Sequence, residues 1–180
     1  MKSGFSLIEL VIVMVIVGIV AVVAIPMMRK PGHVQPKEFV GKLNMLMQAA
    51  WQQALLDNRV QKILFDFTRK RITLSELAER GKDKDADKFV PITQAYLDTE
   101  LAIPPGYTFN NFYIEKKDQM HMYSGGSETA YFFLTPGGLT QDVILNITDR
   151  VEQEGSVDRF GLVLNPFSAQ FEYYGTFQSP

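Results

Sequence analysis

The sequence contains no cysteine, two histidines and one tryptophan in 180 residues. Without thiols there is neither a disulfide framework nor a thiolate metal site, and a disulfide-free domain suits any compartment. His33 lies in a proline-rich stretch and His121 reads as a half-buried strand residue; neither stands in a metal or nucleophile motif. There is no Walker-type glycine loop and no G-x-S-x-G elbow. These absences leave no constellation for catalysis. The expectation is a non-enzymatic protein without cofactor or metal.

Basic surplus is missing too. The formal charge is −2; Lys2, Arg29 and Lys30 against Glu9 give residues 1–30 a charge of +2, which leaves −4 for residues 31–180. An acidic head argues against nucleic acid as a partner. The main basic cluster is Arg69-Lys70-Arg71, with a smaller one at Lys116-Lys117. Asp83, Asp85 and Asp87 imitate the opening of a calcium loop, but Lys88 replaces its glycine and Gln94 its final glutamate. Gly81 to Lys88 is therefore read as a solvated charged loop. Asn146-Ile147-Thr148 matches a glycosylation sequon but falls within a strand pattern, and is discounted.

One long hydrophobic run is present. Leu10 to Ile25 is uncharged and almost wholly aliphatic, and Glu9 stands directly before it. As a helix rising about 1.5 Å per residue, Phe5 to Ile25 can cross a hydrocarbon core about 30 Å thick. The run exceeds the roughly 7–15 residues of a secretory signal core, and only Ala21 and Ala24 imitate a cleavage site. A single-span anchor fits better. Charge does not orient it, because Lys2 and the amino terminus balance Arg29 and Lys30.

Gly4-Phe5-Ser6-Leu7-Ile8-Glu9, the apolar run and Pro26 at its end resemble the class III leader of type IV pilins and of the pseudopilins of type II secretion. That resemblance implies cleavage after Gly4 by a prepilin peptidase and N-methylation of Phe5. It implies that Glu9 pairs with the terminal amine of a neighbouring subunit, that Pro26 kinks the helix, and that the chain is processed at the bacterial inner membrane. The implied organisation is a leader at 1–4, a transmembrane and assembly helix at 5–28, a proline-rich neck at 29–36 and a periplasmic head at 37–180. Pro31-Gly32 and Pro36 exceed the single early proline common in pilin-like chains, so a helix continuous through the neck is not expected.

Beyond the neck, Phe39, Leu43, Leu46, Ala50 and Ala54 recur at offsets of three and four, which predicts an amphipathic helix over Lys37 to Asp57 with Asn58 as its C-terminal cap. Val40, Met47 and Trp51 widen the stripe; Lys37, Asn44, Gln48 and Gln52 mark the other face. Met45 and Met47 are read as core or flank. The period then changes to two. Strands are expected at Gln61 to Phe67, Arg71 to Leu74, Tyr107 to Lys116, Gln119 to Tyr123, Thr129 to Leu134, Asp142 to Thr148, Asp158 to Leu164 and Ala169 to Tyr174. Ser75 to Arg80 is expected to form a short helix capped by Ser75. Turn chemistry at Pro136-Gly137-Gly138 and Asn165-Pro166 separates later strands. The fold class expected is α+β: an amphipathic helix packed on an antiparallel sheet head.

Three C-terminal stretches resemble the H-type minor pseudopilins and FimT-like pilins: Tyr131 to Gly138, Val143 to Asp149, and Phe160 to Pro166. This resemblance implies a minor pseudopilin at or near the tip of the type II secretion pseudopilus. Its partners would be other pseudopilins and, at the tip, secreted substrate or the outer-membrane channel. The alternative is a FimT-like minor pilin of a type IV pilus that binds DNA.

Overall fold

The computed structural model describes residues 7–27, 35–79, 87–92, 98–120, 128–150 and 157–180, with side chains throughout except at 19–27 and 157. The chain divides into two units, Met1–His33 and Val34–Pro180. In the first, α1 (Leu7–Met27) is a 21-residue helix with Glu9 as the acidic residue of its first turn. Pro26 is its penultimate residue, where a missing N–H leaves one carbonyl of the preceding turn without a donor. Residues 29–34 of the expected neck lie outside the described residues, as do Gly4, Phe5, His33, His121, Asp83 and Asp85.

The second unit begins with α2 (Pro36–Asp57), 22 residues long. Pro36 occupies the first turn, where proline's fixed φ suits a helix and its absent donor is not needed. Asn58 closes the helix in the left-handed conformation, at φ 53°, as the sequence predicts. All five residues of the expected stripe are buried, joined by Val40, Met47 and Gln53. Met45 instead points outward, 75% exposed.

Ten strands are described: β1 (Gln61–Asp66), β2 (Arg71–Glu79), β3 (Lys88–Pro91), β4 (Glu100–Ala102), β5 (Tyr107–Ile114), β6 (Lys117–Asp118), β7 (Thr129–Leu134), β8 (Val143–Arg150), β9 (Val157–Asn165) and β10 (Gln170–Tyr174). They form two five-stranded sheets. In one, β2 lies between β1 and an edge shared by β3 and β4, and β7 pairs with the far side of β1. The other runs β10-β9-β8-β5-β6. All described pairings are antiparallel. The chain thus builds most of the first sheet, starts the second, returns for β7, and finishes the second.

Two expectations are corrected. Ser75 to Glu79 is strand, not helix: Ser75, Glu76 and Leu77 pair with Pro91, Val90 and Phe89. A lone serine cap is a weak local signal, and ladder pairing across β2 outweighs it. The strand expected at Gln119 to Tyr123 is replaced, in its described part, by a turn. The chain reverses earlier, at Glu115 and Lys116, both at positive φ (47° and 70°), and returns as β6. Asp118 secures that hairpin by accepting the Phe112 and Met120 N–H groups.

The inner faces of both sheets and the buried stripe of α2 share one core. Aromatic edges bridge the layers. Phe65 of β1 meets Phe112 of β5 at 5.0 Å and Phe109 at 6.0 Å, while Tyr107 contacts Phe39 of α2 at 5.2 Å and Phe160 of β9 at 5.6 Å. Such edge-to-face pairs add about 0.5–1.5 kcal/mol beyond area burial.

Gln61 is a flaw in this core. It is fully buried, and among the described residues neither amide atom has a partner. An unsatisfied buried polar group costs about 1–3 kcal/mol. Gln61→Met, which keeps the chain length and removes the amide, is expected to stabilise the protein by about 1 kcal/mol. A lower urea midpoint than wild type would show that Gln61 is satisfied.

Candidate functional site

α1 is apolar on every side but for one carboxylate. Leu7 through Gly18 are all exposed, Glu9 among them. A helix apolar all round needs lipid or other helices to cover it. Among the described residues no helix is long and apolar enough to cross a membrane. The side chains described on α1 stop at Gly18, which leaves twelve residues, about 18 Å of helix. Glu9 lies in the first turn of α1 and is exposed, the one charged side chain described on that helix.

On the second unit, two residues of the polar face of α2 bond to the segment around β10. Asn44 brackets the outer edge of β10: its Nδ2 donates to the Phe171 carbonyl at 3.0 Å, and the Phe171 N–H donates to its Oδ1 at 2.7 Å. Gln48 Nε2 donates to the Ser168 carbonyl at 2.8 Å. These bonds occupy edge groups that would otherwise be open to another strand. Between α2 and β10 a shallow open groove is lined by Gly41, Met45, Ala49, Gln52 and Gln170. It brings no convergent acid, base or nucleophile together.

The basic cluster is spread over the β1–β2 turn rather than gathered into a patch. Lys70 Nζ donates to the Tyr107 carbonyl at 3.0 Å, and Arg71 pairs with Glu100 at 3.5 Å. Arg69, 70% exposed, stands 3.8 Å from Asp66. Asn146 of the sequon is buried within β8, beyond the reach of glycosylation in the folded chain. Burial, followed by the charge of Asp149, raises the Tyr107 hydroxyl well above its ordinary pKa, so it is neutral throughout the physiological range. Among the described residues no group of three or more His, Asp or Glu side chains is placed to hold a metal ion.

Sequence reasoning missed one cluster. On the outer face of the first sheet, the ammonium of Lys62 of β1 lies over two aromatic rings, its Nζ 4.1 Å from the Tyr131 centroid and 5.2 Å from that of Phe89. Phe133 stacks on Phe89 at 5.6 Å and meets Tyr131 edge-on at 5.4 Å. Burial of the ammonium lowers its pKa. The alternation Lys62, Leu64 in β1 was visible in the sequence, but the rings come from β3 and β7, remote along the chain.

Compared with known proteins, residues 1–25 match the prokaryotic N-terminal methylation motif. No curated protein sequence matches the chain. Two structures of the minor pseudopilin EpsH from the type 2 secretion system of Vibrio cholerae share its fold. One has 11% identity and a TM-score of 0.50, covering 82% of this chain and 98% of its own. The other has 12% identity and a TM-score of 0.51, covering 78% of this chain and 94% of its own. At these identities the likeness is one of fold.

Proposed function

We propose, for a chain with the architecture of the type IV pilin and pseudopilin superfamily, a structural role as a minor pseudopilin of type II secretion. One observation carries the reading: an N-terminal methylation motif and a minor-pseudopilin fold occur in the same chain. The protein acts without catalysis of its own. It is cut after Gly4 by a prepilin peptidase and methylated at Phe5. The apolar helix holds it in the bacterial inner membrane, N-terminus cytoplasmic and head periplasmic, until it enters a periplasmic pseudopilus at or near the tip beside other pseudopilins. There the head meets secreted substrate or the outer-membrane channel. Stacking of apolar helices, at about 25 cal/mol per Å² of apolar area buried, helps offset extraction from the bilayer.

Glu9 is the assembly residue in this reading. Paired with the methylated amine of a neighbour, it is stable away from water; stranding one partner of such a pair costs about 3–5 kcal/mol. Glu9→Ala is expected to insert and be processed normally yet to fail to enter filaments. The measurement is mass spectrometry of the mature N-terminus together with fractionation of sheared pseudopili. Normal incorporation of Glu9→Ala would overturn the assembly role, and an uncut N-terminus would overturn the whole reading. A DNA-binding FimT-like pilin is tested separately by gel shift with the Arg69 and Arg71 side chains replaced. Salt-sensitive binding lost on replacement would favour it; the pairing of Arg71 with Glu100 and the inward use of Lys70 speak against it.

A further inference from the structure

Residues 175–180 leave β10 and fold back across the outer face of the second sheet. Gln178 is half-buried there, and the other five are exposed. The attachment is a fork. Asn146, only 2% exposed, accepts the Gln178 N–H at 2.8 Å and donates to the Gln178 carbonyl at 2.9 Å. Both bonds go to backbone atoms, so the fork holds chain rather than side chain. Gly161, opposite Asn146 in register, leaves a notch for that backbone: a Cβ on it would stand 2.7 Å from the Thr176 carbonyl oxygen. The Phe177 ring centre lies 5.9 Å from the Arg159 guanidinium. Gln178 Nε2 donates to the Thr176 carbonyl at 3.0 Å, so the segment carries part of its own shape with it.

The segment joins the head through Gly175, which sits in a bend directly after β10. A Cβ at Gly175 would meet nothing within 4 Å among the described residues, and glycine straightens without steric cost. Tyr174 pairs with Gly161 in register, so the bend starts beside the notch. From there residues 176–178 span about 10 Å when extended. That is also the distance, about 10 Å, at which two sheets pack face to face. A second copy that turns the same sheet towards this one is within reach.

We infer that residues 176–178 exchange between two copies of this chain, each seating its segment on the Asn146 fork and in the Gly161 notch of the other. The fork fits that segment by construction, because the same residues occupy it at home. The balance of contacts selects a second copy over a foreign segment. Exchange remakes every bond to Asn146 and the contact with Arg159, whereas a foreign occupant leaves residues 176–178 unbound. A short tether holds its segment at an effective concentration in the mM range, on the order of the crowding at which exchange competes. The exchange does not depend on the assembly role of Glu9, so either can fail alone.

The test separates donor from acceptor. A chain with Asn146→Ala keeps the segment and loses the fork; a chain ending at Tyr174 keeps the fork and lacks the segment. In detergent, a tagged chain ending at Tyr174 is expected to retain untagged Asn146→Ala chains about tenfold better than untagged chains ending at Tyr174. Contacts through α1 are common to both mixtures and cancel. Gly161→Ala in the tagged chain fills the notch and should remove the excess, and the free peptide Gly-Thr-Phe-Gln-Ser-Pro should compete it away. Trp51 fluorescence checks that each variant folds. Asn146→Asp, which keeps the shape but replaces the donor of the fork with an acceptor, serves if Asn146→Ala does not fold. Equal retention of the two untagged chains would assign the fork to its own segment alone and overturn the inference. An excess that survives Gly161→Ala, or one that the peptide leaves untouched, would overturn it as well.

Discussion

Gly138→Ala is expected to lower the unfolding free energy by about 2–4 kcal/mol, while Gly137→Ala, one residue away, changes it by no more than about 0.5 kcal/mol. Gly138 stands at φ 76°, where an L side chain is strained by about 1–2 kcal/mol. A Cβ there would lie 2.6 Å from Trp51 Nε1 and 3.3 Å from its Cε2. The indole cannot yield freely, because its Nε1 donates to the Gly138 carbonyl at 3.1 Å and its ring packs against the core. Overpacking of this kind adds about 1–3 kcal/mol. Gly137 meets only the Thr135 hydroxyl, at 3.9 Å, and serves as the matched control. For a domain of this size the difference corresponds to a fall in melting temperature of roughly 5–15 °C. Trp51 is the sole tryptophan, so its emission reports both the unfolding transition and any loosening of the clamp. Equal melting temperatures for the two alanine variants would show that the turn does not rest on Trp51.

The second large effect is expected at Gly161. β8 is buried on both faces along seven of its eight residues. Val143, Leu145 and Ile147 enter the common core. On the other face the C-terminal residues fold back: the Gln178 N–H donates to Asn146 Oδ1 at 2.8 Å, and Asn146 Nδ2 donates to the Gln178 carbonyl at 2.9 Å. Gly161 of β9 lies opposite Asn146 in register. A Cβ on it would sit 2.7 Å from the Thr176 carbonyl oxygen and 2.7 Å from Gln178 Cγ. The glutamine side chain can swing aside; the Thr176 backbone cannot move without the tail. Gly161→Ala therefore displaces residues 176–178 and breaks both Asn146–Gln178 hydrogen bonds, leaving the Asn146 Nδ2 only its 3.3 Å bond to Asn111 Oδ1, for an expected loss of about 2–4 kcal/mol in urea unfolding. The decisive comparison is a double-mutant cycle with a chain ending at Tyr174. In that background the alanine has nothing to displace and should be close to neutral. An undiminished penalty there would place its cause in the sheet rather than the tail.

The helices and many of the strands were legible because their signals are local. Phe39, Leu43, Leu46, Ala50 and Ala54 are spaced for one helical face, and any partner that buries that face yields the same pattern. Thr129 to Leu134, an aromatic and apolar run that ends at the turn signal Pro136-Gly137-Gly138, forms β7 with the expected bounds. Asn165 accepts the Phe167 and Ser168 N–H groups, so the turn expected at Asn165-Pro166 is set by the asparagine side chain itself. By contrast, β3 and β4 escaped notice because each is short and becomes a strand only by sharing the edge of β2. Ser75 carried a helix-cap signal that counted for less than that edge.

By itself the sequence determined the N-terminal motif around Gly4, Phe5 and Glu9, the absence of catalytic motifs, the stripe of α2 and the α+β class, because each depends on residue type and spacing along the chain. Only the tertiary structure decided that the strands divide into two sheets, that Asn44 closes the edge of β10, that Gly138 and Gly161 yield space to Trp51 and the C-terminal tail, and that the Lys62 ammonium lies over rings from β3 and β7. Periodicity tells that a face is covered. It carries no information on which distant segment covers it, and that is settled by packing.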